Sequence, residues 1–297
     1  MALSIGTVLQ YLFYTVIGYV LVGSPILRIF LGPGTAAPDT GETFFKSDRL
    51  VIPDENLVCP DHGYNVHILS RDPLVIYIPD FLSGEESKHM VAISEDKFKP
   101  STVWTGDEER LDPSVRVSEK AEIERDNVVQ CIEERARLFQ GWRPYTFIEK
   151  LWTQRYQSGG HYVHHFDGPT NIQKGGRISS FMVYLDGNCT GGGTNFPRLE
   201  MPADRKWCEF LDCNDQENEG ITFKPIARNA VYWENFRPDG SAYEEAWHAG
   251  LPVRSGTKIG LNIWSWYQPG YDPKATPKDA KDAKVADGED HGEKAEL

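Results

Sequence analysis

The chain has 297 residues, enough for one large domain or two small ones. Hydrophobic residues make up 40% and charged residues 25%, a balance that excludes a fully disordered, collagenous or multi-pass membrane protein. The 31 basic and 44 acidic residues give a net charge of −13, which argues against a nucleic-acid partner because the phosphate backbone attracts cationic surfaces. Five cysteines are too few for a fold held together mainly by disulfides.

The N-terminal segment differs from the rest of the chain. Residues 2–27 carry no charge, and an uncharged run longer than about 18 residues predicts a transmembrane helix. We therefore expect residues 1–31 to be a membrane anchor. A cleaved signal peptide or a buried helix of a soluble protein are the alternatives. The basic residues Arg28, Lys46 and Arg49 follow this run, so the positive-inside rule would place the body of the protein in the cytoplasm.

Two further segments lack the pattern of a folded domain. Residues 32–72 contain Pro, Gly and Thr with little periodicity, and we expect them to form a stem. Residues 273–297 contain no aromatic residue and one valine. Such a tail cannot bury a core and is expected to be disordered.

Two motifs bear on the location of the protein. Residues 294–297 read Lys-Ala-Glu-Leu, one substitution away from a retrieval signal of the endoplasmic reticulum, although the match could arise by chance in such a tail. Asn188-Cys189-Thr190 is the one glycosylation sequon of the sequence. Together they favour a single-pass protein of the endoplasmic reticulum membrane with a lumenal body, against the orientation that the basic residues indicate.

The first half of the body is expected to contain helices. Residues 73–83 are rich in β-branched residues and end at Ser83, a suitable N-cap for a helix that continues to about Asp96. In the run from Ser118 to Phe139, apolar residues recur at four- and three-residue steps from Val128 onward. This spacing predicts an amphipathic helix over residues 118–139.

The second half of the body is expected to contain strands. Short aromatic and β-branched runs, broken by Gly, Asn and Pro, predict them at residues 147–157, 177–187, 220–235 and 257–268. Helices followed by strands without βαβ alternation predict an α+β fold, with helices on one side of an antiparallel sandwich or barrel. Residues 198–220 interrupt the strands, and Cys208 and Cys213 could form a disulfide there or remain unpaired.

A possible metal site lies in the second half. His165 and Asp167 are two residues apart, so on a strand they point to the same side. His248 supplies the third ligand, since two ligands cannot fix a metal geometry. Two histidines and one carboxylate form the facial triad of non-haem Fe(II) oxygenases. His161 and His164 flank the triad, and we expect them to be structural or outer-sphere residues.

Lys258 lies ten residues after His248, near the start of a predicted strand. A single cation beside a metal could bind the distal carboxylate of an acid such as 2-oxoglutarate. Tyr156 and Thr194 could add neutral hydrogen bonds to the same carboxylate.

With these motifs in place, residues 73–268 resemble the prolyl 4-hydroxylase branch of the 2-oxoglutarate/Fe(II) dioxygenases. The family pattern Tyr-x-x-Gly-x-x-Tyr-x-x-His-x-Asp is matched by Tyr156, Gly159, Tyr162, His165 and Asp167. The later motifs occur in the family order at residues 192–197, 248–253 and 256–258.

The resemblance implies a double-stranded β-helix, or jelly roll, with supporting helices over residues 73–272. It implies Fe(II) bound by His165, Asp167 and His248, with L-ascorbate dependence. It also implies that 2-oxoglutarate is decarboxylated to succinate and CO2 as a C–H bond is hydroxylated. The remaining implied contacts are those of 2-oxoglutarate with Lys258, Tyr156 and Thr194, and those of a peptide or protein substrate with Tyr162, Arg177 and Trp264.

This sequence departs from the family pattern at three places. Ser180 replaces a threonine, Gly193 stands where the family has glutamate, and nine residues separate Asp167 from Arg177. The resemblance makes proline the first expectation for the substrate. The short loop lies where the family holds its peptide, and it motivates the alternative substrates. A small molecule or another side chain is an alternative, and so is an inactive jelly roll that only binds peptides.

Overall fold

The computed structural model describes residues 49–268, except residues 55, 106–107, 144 and 169–174. The predicted membrane anchor at residues 1–31 and the predicted tail at residues 273–297 lie outside the described residues. In the part of the chain that is described, no helix is both long and apolar enough to cross a membrane.

The larger of two main antiparallel sheets has nine strands among the described residues. They are β1 (His67–Arg71), β2 (Leu74–Ile78), β3 (Lys99–Pro100), β7 (Glu119–Glu122), β8 (Thr146–Ile148), β9 (Trp152–Tyr156), β11 (Gly176–Asp186), β15 (Ala230–Glu234) and β18 (Lys258–Tyr267). Their order is β1-β2-β15-β11-β18-β9-β7-β3, with β8 also paired to β18. The two longest strands, β11 and β18, pair at the centre of the sheet from Gly176↔Tyr267 to Asp186↔Ile259.

The smaller main sheet has five strands in the order β14-β13-β16-β10-β6. They are β6 (Arg116–Val117), β10 (His161–His165), β13 (Thr194–Phe196), β14 (Ile221–Phe223) and β16 (His248–Gly250). Two separate pairs complete the described strands: β4 (Val103–Thr105) with β5 (Glu108–Arg110), and β12 (Cys189–Gly191) with β17 (Val253–Gly256).

Successive residues of a strand point to opposite faces of the sheet. The central strands of the larger sheet carry apolar residues on both faces, so both faces are buried. On β11, Phe181 and Val183 face a helix-side core that also contains Ile132 of the second helix. Met182 and Tyr184 face an inner core shared with Phe196, Ile221 and Phe223 of the smaller sheet. Antiparallel sheets with helices on one face agree with the predicted α+β class and are consistent with a jelly roll.

Helix α1 (Gly84–Ser94) begins where the sequence predicts it. Ser83 is the N-cap, and its side chain accepts a hydrogen bond from the Glu86 N–H while the Glu86 carboxylate accepts one from the Ser83 N–H. This reciprocal cap satisfies two amide groups that a helix start leaves unpaired. Arg135 then donates two hydrogen bonds to the Glu86 carboxylate, at 2.8 and 2.6 Å, which joins α1 to the next helix.

Helix α2 (Asn127–Phe139) is shorter than predicted. The prediction of a helix from Ser118 was wrong in its first part, because residues 119–122 form β7 and pair with β9. Asp126 separates the two elements, since its side chain accepts a hydrogen bond from the Val129 N–H and caps the helix. The four- and three-residue apolar steps run only from Val128 to Phe139, inside the helix, and the step from Ile123 to Val128 is five residues.

The described part of the predicted stem packs on the domain. Leu50 and Val51 are buried, and the Val51 N–H donates to the Ile148 carbonyl at 2.8 Å. A disulfide joins Cys59 to Cys131 of α2, and β1 adds the edge strand next to β2. The folded region thus includes residues 49–72, which differs from the predicted domain start at residue 73.

Residues 198–220 form an ordered excursion from the smaller sheet. A 3-10 helix spans Arg205–Glu209, and Cys208 and Cys213 form a disulfide, which decides between the two alternatives left by the sequence. Phe210 and Leu211 are buried in the inner core, and Trp207 packs against it. The apolar residues of this segment explain why it is ordered.

Candidate active site

His165, Asp167 and His248 come together at the end of the smaller sheet. His165 is the last residue of β10 and pairs with His248, the first residue of β16. The His165 Nε2 lies 3.8 Å from Asp167 Oδ1, and the His248 Nε2 lies 3.9 Å from Asp167 Oδ2. Each residue offers one ligand atom, and these atoms lie within 4.8 Å of one another. They are too far apart for direct hydrogen bonds and are spaced as ligands around a common ion.

Backbone carbonyls fix the direction of both imidazoles. The His165 Nδ1 lies 2.8 Å from the Val163 carbonyl oxygen, and the His248 Nδ1 lies 2.9 Å from that of Ala246. An Nδ1–H that donates to a carbonyl leaves an unprotonated Nε2 to bind metal. Both Nε2 atoms are the ones that face Asp167.

The charge state of the triad also suits a cation. Burial and the neighbouring His248 hold the pKa of His165 well below its ordinary value. Burial alone would raise the pKa of Asp167, but the two histidines, Arg177 and a hydrogen bond from Ser180 together lower it. At neutral pH Asp167 is thus a carboxylate and His165 an uncharged imidazole. Together with the His248 Nε2 they form the donor set that fits Fe(II) with open coordination positions.

Aromatic rings pack around the metal-ligand histidines. Tyr162 stacks on His165 with 3.7 Å between ring centroids. The ring centroids of Trp233 and Phe196 lie 4.7 and 5.4 Å from that of His248. These contacts restrict ring rotation and keep both Nε2 atoms aimed at the same point.

Lys258 is almost completely buried at the start of β18, opposite Tyr156 of β9. Its ammonium donates to the Gly192 carbonyl at 2.7 Å and lies 5.3 and 5.4 Å from the ring centroids of Tyr156 and Tyr184. Burial lowers the pKa of Lys258 to about 8. Within the described ranges no carboxylate pairs with this ammonium, so a buried cation is left available for an acidic ligand.

Thr194 completes this second group. The Tyr184 hydroxyl donates to Thr194 Oγ1 at 2.8 Å, so the Thr194 proton is left to donate elsewhere. Of the residues expected to hold 2-oxoglutarate, Tyr156 and Lys258 lie on paired strands of the larger sheet, and Thr194 lies on β13 of the smaller sheet. The Tyr184 hydroxyl of β11 connects Thr194 to the larger sheet. The residues present fit a carboxylate ligand.

A cleft of about 830 Å³ opens beside His165 and Asp167. The three residues expected to contact the substrate, Tyr162, Arg177 and Trp264, all line it. The Arg177 guanidinium lies 3.7 Å above the Trp264 ring and donates to the Asp167 carbonyl at 3.0 Å. Arg177 therefore braces the backbone that carries a metal ligand, in addition to forming part of the cleft wall.

Sequence reasoning missed two residues of this region. Glu149 is buried and accepts two hydrogen bonds from Arg177, at 2.7 and 3.0 Å. The Arg116 guanidinium lies 4.7 Å from the centroid of the Tyr162 ring, the same ring that stacks on His165. The Arg116 Nε–H donates to the Ser118 hydroxyl. An acidic residue within the strand-forming run at 147–157 was the available signal for Glu149. No local signal marks Arg116.

The other histidines of β10 stay outside the triad. The His164 Nε2 lies 2.8 Å from the Asn195 side-chain oxygen, and the His161 ring contacts the Gly159 carbonyl. Both positions agree with the structural or outer-sphere role expected for them.

Comparisons with known proteins agree with this site. The sequence model of the 2OG-Fe(II) oxygenase superfamily matches residues 151–266 of this chain. Prolyl 4-hydroxylase 5 of Arabidopsis thaliana is 33% identical over 215 residues, covering 67% of this chain and 70% of its own. Prolyl 4-hydroxylase subunit alpha-3 of Homo sapiens is 27% identical over 209 residues, covering 66% of this chain and 34% of its own.

A solved structure shows the same kind of likeness. The viral collagen prolyl hydroxylase of Paramecium bursaria Chlorella virus-1, in complex with 2-oxoglutarate, is 26% identical with a TM-score of 0.49. The match covers 65% of this chain and 96% of the viral one.

The chain belongs to the 2-oxoglutarate/Fe(II) oxygenase superfamily and, within it, to the prolyl 4-hydroxylase-like dioxygenases. It is a dioxygenase that uses Fe(II) and 2-oxoglutarate, and ascorbate is typical of this family. The family expectation from the sequence motifs is confirmed.

Proposed function

We propose that this enzyme hydroxylates a prolyl residue of a peptide, with coupled decarboxylation of 2-oxoglutarate to succinate and CO2. The observation that carries the proposal is the triad at the edge of a wide cleft, flanked by Tyr162 and Trp264. The names of the relatives, prolyl 4-hydroxylases from a plant and from human, support the same substrate class.

Bound Fe(II), with 2-oxoglutarate and O2, would supply the oxidation of an unactivated C–H bond. The chain's own groups hold and orient the reactants. The Nε2 atoms of His165 and His248 and the Asp167 carboxylate would bind the metal. The Lys258 ammonium would pair with the distal carboxylate of 2-oxoglutarate, and Thr194 and Tyr156 would donate neutral hydrogen bonds to it.

The cleft suits an extended peptide. Aromatic-lined grooves bind proline-rich segments because such segments are already extended and lose little entropy on docking. Tyr162 and Trp264 are aromatic residues of the cleft wall beside the triad. Their positions are fixed by His165 and Arg177, with which they stack, so a bound prolyl ring would meet a preformed surface.

A second substrate class has one supporting observation. Lys120 and Glu109 also line the cleft, and they form an ion pair with 3.0 Å between Nζ and Oε1. These charges would suit a peptide with charged side chains or a polar small molecule in place of a proline-rich one. The assembled triad and Lys258 argue against the third alternative, an inactive protein that only binds peptides.

The test is succinate formation by the full chain with Fe(II), 2-oxoglutarate and ascorbate. A proline-rich peptide is compared with a matched peptide in which every proline is alanine, and mass spectrometry follows the addition of one oxygen. We expect turnover and oxygen addition only with the proline peptide. Equal turnover with both peptides, or stimulation by a proline-free substrate alone, would contradict prolyl hydroxylation while leaving the iron chemistry in place.

The location in the endoplasmic reticulum, with residues 1–31 as the anchor and the body in the lumen, is part of the proposal. Two disulfides in the body, Cys59–Cys131 and Cys208–Cys213, support it because such bonds persist in oxidising compartments. Protease protection in intact microsomes measures it. Digestion of the body without detergent would contradict a lumenal location.

A further inference from the structure

Asn188 lies in the tight turn that joins β11 to β12. Its N–H donates to an Asp186 side-chain oxygen at 3.1 Å, and its carbonyl accepts from the Thr257 N–H at 3.1 Å. Gly256 has a φ of +79°, and a Cβ there would lie 2.1 Å from the Asn188 carbonyl oxygen. The backbone of the turn is thus packed against the end of β17, while the Asn188 residue is exposed.

The third residue of the sequon is accessible as well. Thr190 is the exposed middle residue of β12, and its hydroxyl lies 2.8 Å from that of Ser255. Asn188 and Thr190 therefore flank Cys189 on a surface turn, where a modifying enzyme can reach both.

The disulfides give an independent indication of compartment. The Cα atoms of Cys59 and Cys131 are 5.6 Å apart, and those of Cys208 and Cys213 are 5.4 Å apart. Both distances fall in the usual range for a disulfide. An oxidising lumen is also the compartment in which asparagine sequons are glycosylated.

From the exposed sequon and the two disulfides, we propose that Asn188 is an N-glycosylation site. The donor is an oligosaccharide linked to a lipid through pyrophosphate. The Asn188 side-chain nitrogen forms a bond to the anomeric carbon as the bond from that carbon to the pyrophosphate oxygen breaks. The nitrogen loses one proton, and the lipid pyrophosphate leaves with the bonding electron pair.

The sequon turn lies outside the wall of the substrate cleft. Asn262 of β18 lines the cleft and pairs with Met182, four residues before Asp186 on β11. At about 3.3 Å per residue, the end of β11 beside the turn is about 13 Å along the strand from this part of the wall. The cleft is not lined by any residue of 187–191. The inference rests on the proposed lumenal location but is independent of the hydroxylase activity.

The test uses the full chain expressed in cells with a eukaryotic secretory pathway. Wild type and Thr190→Ser, which keeps the sequon, are expected to migrate faster after an amidase removes N-linked glycans. Asn188→Gln and Thr190→Val, which break the sequon, are expected to show no shift. Mass spectrometry should find the Asn188 peptide converted to aspartate by the amidase. An unmodified Asn188 peptide in the wild-type protein would overturn the proposal.

A reporter sequon separates failure of the site from failure of the location. Val58 is 82% exposed, and Val58→Thr places a sequon at residues 56–58 on the exposed Asn56. Glycosylation of both Asn56 and Asn188 in this variant supports the proposal. Glycosylation of Asn56 alone overturns the Asn188 site but keeps the lumenal location. Absence of glycan from both overturns the site and the location together.

Discussion

The two main sheets contribute different chemistry to the same site. The smaller sheet presents His165 and His248 at the ends of β10 and β16, strands of five and three residues. The larger sheet presents Lys258 at the start of its ten-residue strand β18. The positions of the two histidines thus depend on the pairing of two short strands. The position of the Lys258 ammonium depends on the assembled centre of the larger sheet.

The two regions also differ in their cost to the fold. On the smaller sheet, burial and the neighbouring His248 hold the pKa of His165 below its ordinary value, so this imidazole adds no buried positive charge at neutral pH. Lys258 of the larger sheet is a buried ammonium with a carbonyl and two tyrosine rings as neighbours. This buried charge lowers the stability of the ligand-free fold, and a bound carboxylate compensates it. Stability and ligand binding therefore place opposite demands on Lys258.

The largest expected effect is on turnover. His165→Ala removes a metal ligand and should lower succinate formation by more than the ~10–100-fold that loss of an outer-sphere partner costs. The thermal unfolding midpoint should change little, because the side chain lies at a strand end. His161→Ala, four residues earlier on the same strand, is the matched control and should keep wild-type turnover. Turnover by His165→Ala near that of the control would refute the metal assignment.

The next effect tests the wall of the cleft. Arg177→Met leaves the buried Glu149 carboxylate without its partner and should lower the free energy of unfolding by ~3–5 kcal/mol. Urea denaturation of the metal-free protein measures this. The double variant Glu149→Leu with Arg177→Met should regain most of the stability, since no charge is left unpaired. A loss below ~1 kcal/mol in the single variant would show that the pair is solvated.

Lys258→Met tests the opposition between stability and binding. It should weaken 2-oxoglutarate binding by ~1.5–3 kcal/mol through loss of a charge-assisted contact. In the ligand-free protein at pH 7 it should raise the free energy of unfolding by ~1–3 kcal/mol, because a buried charge is removed. Calorimetric titration and urea denaturation give the two values. A decrease in both quantities would show that Lys258 stabilises the ligand-free fold.

The smallest effect is a pH dependence of the same residue. With a pKa of about 8 in the fold and 10.5 as the reference value, the folded chain binds fewer protons than the unfolded chain between these values. Stability of the ligand-free protein should therefore rise with pH across this window, and 2-oxoglutarate affinity should fall up to ~10-fold per pH unit above 8. Lys258→Arg stays charged and should lose this slope. An unchanged slope would assign it to another group.

The sequence was most informative where chemistry depends on short spacing. His165 and Asp167 are two residues apart, and the Ser83 cap adjoins its helix, so both sets are recognised from short spacing. The expected strand holds only for His165, since β10 ends there and Asp167 lies two residues beyond it. The structure brings His248 and Lys258 to the expected neighbourhood, and ordered family motifs rather than local physics gave these two positions.

The features that could not be predicted are contacts between residues far apart in the sequence. The strand at 119–122 was assigned to a helix because its pairing with β9 leaves no trace in its own apolar spacing. The Glu149–Arg177 pair joins residues 28 apart in sequence, and Cys59 and Cys131 are 72 apart. Such contacts follow from the assembled sheets, which no single segment encodes.

The Cys59–Cys131 disulfide sets the path of mechanical load through the molecule. A pull on the chain from before residue 49 first strains the hydrogen bonds of Val51 with Ile148 and of Arg49 with Lys150. Once these yield, tension passes through the covalent bond into α2 and the helix-side core. The edge strand β1, which follows Cys59, is thereby shielded from the force, and the sheet that holds Lys258 is not peeled from its edge.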